Sequence, residues 1–418
     1  MIRTGFPNVI GAPSLGMPLG LQPIQQGLIT QKQNLPAQEE TSLPKAVNFI
    51  ADQSGCGFWR VFWPSDQLNS RMMSVVMNVC QMIGDERFFS TLKTVRIQRQ
   101  ATPAQLHYVK FLKQLQEKYG FQLIYEIDDV MFYEDIPEYN HFKPGFSDPE
   151  VRKTSAEIML MCDEITTTTP TIAEYYKSKT GHLNATVVPN FIPKWWAGNL
   201  FDEKRIGRYY DKNKKKPRVL YAGSGAHTDV DNRVKGRDDF GHILDAVRKT
   251  VNDFQWVFYG TLPRALADLA NTGKIEFHPW TKLYDYPEKL NSLKCQAMVA
   301  PLIDNTFNRC KSEIKNTEAS VLGLIPVCQN LNPYKDVELK FNTGDEMVDQ
   351  VKGALKNKDT FMKSIRRNRA KGEKLFLENK ENIGMWKEIY QGHKYGTIER
   401  ELVNKYNGIK TIKLENNS

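Results

Sequence analysis

The sequence has no long apolar run: no stretch of its 418 residues approaches the roughly 18 that a membrane-crossing helix needs. No membrane span is therefore expected. Its six cysteines stand at positions 56, 80, 162, 295, 310 and 328, and none forms a CxxC pair or a metal-ligand cluster. That excludes structural zinc and reads as reduced thiols in a cytoplasmic setting. The first twenty residues are broken by Gly and Pro and have no continuous apolar core, so no signal peptide is expected there. No strand is followed by GxGxxG with an acid about 20 residues on, which excludes an NAD-type Rossmann enzyme. A phosphate-binding GxxxxGK[ST] loop is missing too. Acid is in deficit: 57 Lys and Arg face 48 Asp and Glu, a net charge of +9 that favours an anionic partner.

What is present divides into parts. At ~150 residues per domain, the length implies two or three domains. Residues 1–44 hold six of the 21 prolines and five of the 27 glycines, and read as an extended arm. Between 45 and 195, short β-prone runs alternate with helical spacing. The pattern predicts strands over 46–50, 94–97, 121–127, 164–168 and 185–188. Helices are predicted over 64–83, 103–119, 149–161 and 170–179. Residues 196–217, ending in Lys212-Asn213-Lys214-Lys215-Lys216-Pro217, read as a basic linker. Alternation restarts over 218–375, with strands at 218–222, 256–259, 275–277, 297–300 and 325–327. The helices of this part fall over 238–251, 262–271, 284–292 and 311–322. Residues 376–418 hold a last helix and a polar tail. The fold class is α/β: two parallel, Rossmann-like sheets facing across a cleft, with ligands expected beyond the carboxyl ends of the strands.

Two motifs carry chemistry. In Val219-Leu220-Tyr221-Ala222-Gly223-Ser224-Gly225-Ala226-His227 a strand opens onto a glycine turn, where backbone N–H groups can approach a phosphate. A tight strand-to-helix turn would look the same. The second is Phe307-Asn308-Arg309-Cys310-Lys311-Ser312-Glu313-Ile314-Lys315-Asn316-Thr317-Glu318, running on to Gly323-Leu324-Ile325-Pro326-Val327. Lys311, Lys315 and Glu318 fall on neighbouring turns of one expected helix. Lys311 and Ser312 at its start could hold a diphosphate, and Glu318 could accept both hydroxyls of a ribose. Asp128-Asp129 closes an apolar strand. Adjacent carboxylates raise one another's pKa, which suits a base acting on an acceptor; a helix cap is the alternative. Arg60, after Gly55-Cys56-Gly57, could clamp a phosphate or form an internal ion pair. Asp229-Val230-Asp231 matches a metal-binding DxD but lies in a long polar loop.

The order of these elements resembles GT-B glycosyltransferases, in particular the retaining family 4-like enzymes. The match runs through Gly223-Ser224 and His227, Tyr259-Gly260, Phe277-His278-Pro279-Trp280, Ala300 to Asn305, Phe307-Asn308, Lys311-Ser312, Lys315, Glu318 and Gly323 to Val327. The first half contributes Gly55-Cys56-Gly57 with Arg60, Tyr125 to Asp129, and Val187-Val188-Pro189-Asn190. The resemblance covers about residues 46–395. It implies transfer of a sugar from a nucleoside diphosphate, UDP above all, without a metal and with no bound cofactor. Gly223, Ser224, Lys311 and Ser312 would hold diphosphate and sugar. Glu318 would hold the ribose, and the backbone near Trp280 would read the base. His227, Tyr259, Asn308 and Lys315 fall at donor-site positions, with Lys235 and Arg237 as further diphosphate candidates. Asp128, Asp129 and Lys311 are the catalytic candidates. The last helix, with Trp386 and Tyr390, would cross back to the first domain. One departure stands out: the family's first glutamate is replaced by Cys310.

The acceptor is not written in these motifs. Net positive charge, the Lys363, Arg366, Arg367, Arg369, Lys371 and Lys374 series, and the proline-rich arm resemble bacteriophage enzymes that glycosylate hydroxymethylated pyrimidines in DNA. Such an enzyme would grip phosphates and flip the base. The aromatic segments Phe58–Trp63 and Trp195-Trp196 could support an opened duplex or lie in the core. A glycan or protein acceptor remains open, as does a non-catalytic nucleotide- or DNA-binding module on the same fold.

Overall fold

The computed structural model describes residues 43–71 and 75–392. The expected arm up to 42 and the tail from 393 lie outside the described residues. Two six-stranded sheets, each wholly parallel, form the frame. The first contains β1 (Ala46–Phe49), β2 (Val76–Val79), β3 (Thr94–Gln98), β4 (Gln122–Glu126), β5 (Glu164–Thr167) and β6 (Ala185–Val187), in the order β2-β1-β3-β4-β5-β6. The second contains β7 (Arg218–Gly223), β8 (Gln255–Gly260), β9 (Glu276–Pro279), β10 (Ala297–Ala300), β11 (Ile325–Gln329) and β12 (Leu339–Phe341), in the order β12-β11-β10-β7-β8-β9.

Both orders reverse direction once, between β1 and β3 and between β7 and β10. Loops leaving neighbouring strands part at such a point and open a crevice beyond the strand ends. Topology alone therefore selects Asp52–Gly57 and Arg99 in the first domain. In the second it selects Gly223-Ser224 and the chain after Ala300.

Local sequence accounts for the best-defined helices. Pro103–Tyr119 starts with a reciprocal Thr102/Gln105 capping box and stops at Gly120, whose φ of 74° is left-handed. Pro149–Met161 and Pro170–Thr180 follow the same recipe, with Asp148 and Thr169 capping and Pro in the first turn. Elsewhere the structure differs from expectation. The apolar spacing of 64–83 is only in part a helix, Trp63–Ser70, and then becomes the edge strand β2. Asn69 marks the change, because its side-chain amide both donates to the Val76 carbonyl and accepts from the Val76 N–H. The helix expected at 311–322 begins at Ile314, so Lys311 and Ser312 sit in the loop before it.

The turn after β1 runs directly into a helix whose first part is wide: Trp63 N–H donates to the Phe58 carbonyl, five residues back. This rotates Arg60 into the core, where it is fully buried. Its Nε lies 2.6 Å from Glu126, and it also donates to the Val188 and Thr167 carbonyls. Arg96 pairs with the same Glu126. The last helix, Lys380–Tyr390, crosses to this site. Trp386 lies 4.9 Å from the Arg60 guanidinium and 4.8 Å from that of Arg96, while Tyr390 accepts from Arg96 and the Ile389 carbonyl from Thr94. The expected return of the chain to the first domain is thus observed. Of the two readings of Arg60, phosphate clamp or internal ion pair, the geometry fits the second, since its donors face inward onto Glu126, the Val188 and Thr167 carbonyls and Asn190.

The segment between the sheets is more than a linker. Its helix Glu203–Asn213 packs on Lys358–Glu373, with Tyr210 stacked on Phe361 at 4.9 Å. Three of the six cations in the basic series are paired: Arg366 with Glu203, Arg367 with Glu338, and Arg369 with Glu373.

Candidate active site

In the second domain the floor of the crevice is backbone. Gly260 has φ of 93°, and a Cβ there would lie 2.4 Å from the Gly223 carbonyl oxygen and 2.5 Å from the Trp280 ring. Only glycine lets these three come together. Ser224 continues the turn, its carbonyl accepting from His227 N–H and its hydroxyl from Ala226 N–H. Trp280 is 45% exposed and stands edge-on to Tyr259 at 5.3 Å. Tyr259 itself is fully buried, and its hydroxyl accepts from Thr281 N–H. It positions the Trp280 loop and does not face the crevice.

The loop after His227 is organised by carboxylates. Asp229 is buried and accepts from the N–H groups of Arg233, Val234 and Gly236. Asp231 pairs with Arg233 and His141. Both acids of the DxD are spent on folding this loop. Among the described residues, no group of three or more His, Cys, Asp or Glu stands together to hold a metal ion. Lys235 and Arg237 lie on the exposed turn of the loop, and neither is hydrogen-bonded to Lys311, Ser312 or Glu318.

A fully buried acid that the sequence reading passed over, Asp239, ties the loops together. It accepts from His227 Nδ1 at 2.7 Å, Asn308 Nδ2 at 2.5 Å, Ile303 N–H and the Tyr139 hydroxyl at 2.7 Å. Asn308 is buried with its Nδ2 committed to this network, while its Oδ1 has no hydrogen-bond partner among the described residues. Tyr139 comes from the first domain. Its neighbours cross as well: His141 N–H donates to the Gly225 carbonyl, and Arg233 to the Asn140 carbonyl.

Lys311 leaves Phe307 beneath it, 3.8 Å from the ring centre, and reaches across to Asp129 at 2.8 and 2.9 Å. Ser312 accepts from Asn190, the residue that also accepts from Arg60. Glu318 is 5% exposed, accepts from the Tyr286 hydroxyl at 2.9 Å and lies 3.8 Å from Lys315. Burial pushes its carboxyl above the usual range, against the pull of Lys315. Cys310 is buried, and its thiol is pushed up to about 12 by burial, with Asp129 adding to it. A neutral thiol there offers a donor none of a glutamate's accepting power.

The first-domain wall is a carboxylate turn. Asp52 accepts from the N–H groups of Ser54 and Gly57. A Cβ on Gly57 would fall 2.0 Å from the Asp52 carbonyl, whereas one on Gly55 would meet open space. Gly57 is therefore required by the turn, and Gly55 is not. Arg99 ends β3 with a left-handed φ of 48° and lies between Asp52, at 3.4 Å, and Asp128, at 3.8 Å. Asp128 has only 8% of its side chain exposed, and its buried Oδ1 has no hydrogen-bond partner. Burial raises its carboxyl, Arg99 opposes this, and Asp129 raises it further. The two adjacent acids thus differ: Asp129 is occupied by a lysine, while Asp128 is held high and open. Arg99, Asp239, Tyr139 and Tyr286 were not foreseen, and Asn190 was read only as part of the Val187-Val188-Pro189-Asn190 match.

No protein-family model matches the chain, and no curated protein matches it. Solved structures do. Anabaena HepE in complex with UDP aligns with a TM-score of 0.52 at 9% identity, over 82% of this chain and 96% of that one. The same protein in complex with UDP-glucose aligns at 0.52 and 9%, over 86% and 99%. A T4 phage BGT mutant in complex with UDP-glucose aligns at 0.45 and 13%, over 82% and 98%, a score too low to build on. Two parallel six-stranded sheets closed by a returning helix, over nearly the full length of such neighbours, give this chain the GT-B fold.

Proposed function

We propose that this protein transfers a sugar from a nucleoside diphosphate, UDP-linked, to a hydroxyl of an acceptor held by the first domain. The observation that carries the reading is Lys311: a cation at the β7/β10 crevice whose partner is a carboxylate of the opposite domain. Trp280 would stack on the base, Glu318 would accept the ribose hydroxyls, and Lys311, Ser312 and the Gly223-Ser224 turn would take the diphosphate. The acceptor oxygen bonds to the anomeric carbon on the same face from which the phosphate departs, so that configuration is retained as the bond to phosphate breaks. That electron pair leaves with the nucleotide, stabilised by Lys311, and the acceptor proton passes to Asp128. Retention of configuration is supported by the likeness of Phe307–Val327 to retaining enzymes. Lysine charge in place of a metal supports metal-independent transfer.

Two acceptors fit. Hydroxymethylated pyrimidine in duplex DNA is supported by the net positive charge. A neutral glycan is favoured by the pairing of Arg366, Arg367 and Arg369 with acids, which takes three of the six cations out of the expected phosphate track. The test is calorimetry and turnover with UDP-sugars, with hydroxymethylated DNA or oligosaccharide added. Glu318→Ala should weaken UDP binding about tenfold, the equivalent of ~1.4 kcal/mol. Lys311→Ala should lower turnover by roughly 10²-fold or more, as loss of one group aimed at developing charge does. Wild-type kinetics in both would end the site assignment.

A further inference from the structure

A second recess lies outside this crevice, where β2, an outer strand of the first sheet, and the loop after β9 both contribute to its wall. Its volume is about 450 Å³, within the ~300–1,000 Å³ of ligand sites. Trp63, Trp195 and Tyr284 wall it, and Asp66, Asn69 and Asn78 supply its polar side. Four parts of the chain therefore meet here: the first helix, β2, the segment between the sheets and the loop after β9.

The aromatics are presented and not merely left over. Trp195 is 42% exposed and Tyr284 59%, and their rings stack at 6.0 Å and 26°. Trp63 backs Trp195 edge-on at 6.4 Å and touches Trp196 at 4.7 Å. The pair is thus held rigid from behind, which lowers the entropy cost of using it. Aromatic plates in water invite a ligand with an apolar face. Two classes have one: nucleobases and sugar rings.

Charge decides between them. A nucleic acid brings a phosphate with every base and needs cations beside the stacking platform. Among the residues lining this recess the one charged group is Asp66, and it is acidic. Asp66 is exposed and makes no ion pair among the described residues. The Asn78 carbonyl is used by Asn48 and Ser65, which leaves its NH₂ to donate. A carboxylate, amides and rigid rings together match the hydroxyls and the C–H faces of a neutral sugar. We propose that this recess binds a neutral glycan, with a sugar ring against Trp195 and Tyr284 and its hydroxyls on Asp66 and Asn78. Binding stands apart from the donor site; that the glycan is also the acceptor chain rests on the transfer reading.

The experiment titrates the full chain with maltohexaose, cellohexaose and chitohexaose, followed by tryptophan fluorescence and calorimetry. A 20-base-pair duplex and UDP are titrated in parallel. At least one neutral hexasaccharide is expected to bind. Its affinity should fall about tenfold or more in Trp195→Ala and in Asp66→Asn, with UDP affinity and melting temperature unchanged. Tyr284→Phe, which keeps the plate, should retain binding. Three results would overturn the proposal: no hexasaccharide binds, binding survives Trp195→Ala, or the duplex is what Trp195→Ala releases. UDP binding lost while glycan binding persists would sink the donor reading alone.

Discussion

Asp128 and Asp129 are adjacent in sequence but not in chemistry. Asp129 is clamped by Lys311, while Asp128 is buried with one oxygen unpartnered and its carboxyl raised. A raised acid acting as base must lose its proton before it works, so activity should climb with pH later than an ordinary aspartate would allow. Arg99 opposes that rise. Arg99→Gln should therefore move the acid limb of the kcat/KM profile to higher pH, and Asp128→Asn should remove the limb with most of the activity. A limb that ignores Arg99→Gln would mean that Asp128 is not the titrating group. Glu126 behaves in the opposite sense. Burial pushes its carboxyl up, but Arg60 and Arg96 together hold it below the usual range. A depressed folded-state value gives stability that is present above the unfolded-state value and lost as pH falls through the folded one. Glu126→Gln leaves two buried guanidiniums short of a partner and should cost about 3–5 kcal/mol in denaturant unfolding.

Elements were legible in the sequence where local chemistry decided them. The helices at 103–119 and 149–161 carry their own caps, and each observed boundary falls where cap and Pro placed it. The strands β3, β4 and β10 are buried throughout or nearly so; β4 and β10 hold apolar runs, and β3 alternates Val95 and Ile97 with polar residues. Two of the four edge strands, β2 and β12, were missed. In β2 only Val76 is buried, so Val76–Val79 lacks the signature of an inner strand and its apolar residues mimic a helix. The site was half legible for a related reason. Lys311, Ser312 and Glu318 stand in one ordered segment, whereas Asp239 owes its role to partners 12, 64, 69 and 100 residues away. No spacing rule reaches that far. Arg60 was left between a phosphate clamp and an internal ion pair because no spacing rule foresees the five-residue hydrogen bond from Trp63, beside which Arg60 turns inward onto Glu126. Gly57→Ala tests the same turn. Its Cβ would collide with the Asp52 carbonyl, so a loss of about 1–3 kcal/mol on thermal or chemical unfolding is expected. Gly55→Ala should be nearly silent.

At the scale of the whole molecule, the two domains are joined by more than the chain that links them. The last helix anchors in the first domain, Tyr139 anchors in the second, and Lys311 meets Asp129 between them. Tyr139→Phe removes one hydroxyl from Asp239 and should widen the distribution of domain separations seen by small-angle scattering, leaving secondary structure intact. The Lys311–Asp129 pair has a kinetic consequence. On the proposed transfer reading, the lysine that would take the diphosphate is paired with Asp129, so an incoming donor would have to displace a carboxylate before being gripped. That exchange vacates Asp129 only once donor is aboard. Turnover should then follow a compulsory order, donor before acceptor, with free nucleotide competing against donor and not against acceptor. Asp129→Asn, which takes the competitor away, should tighten UDP and blur that order.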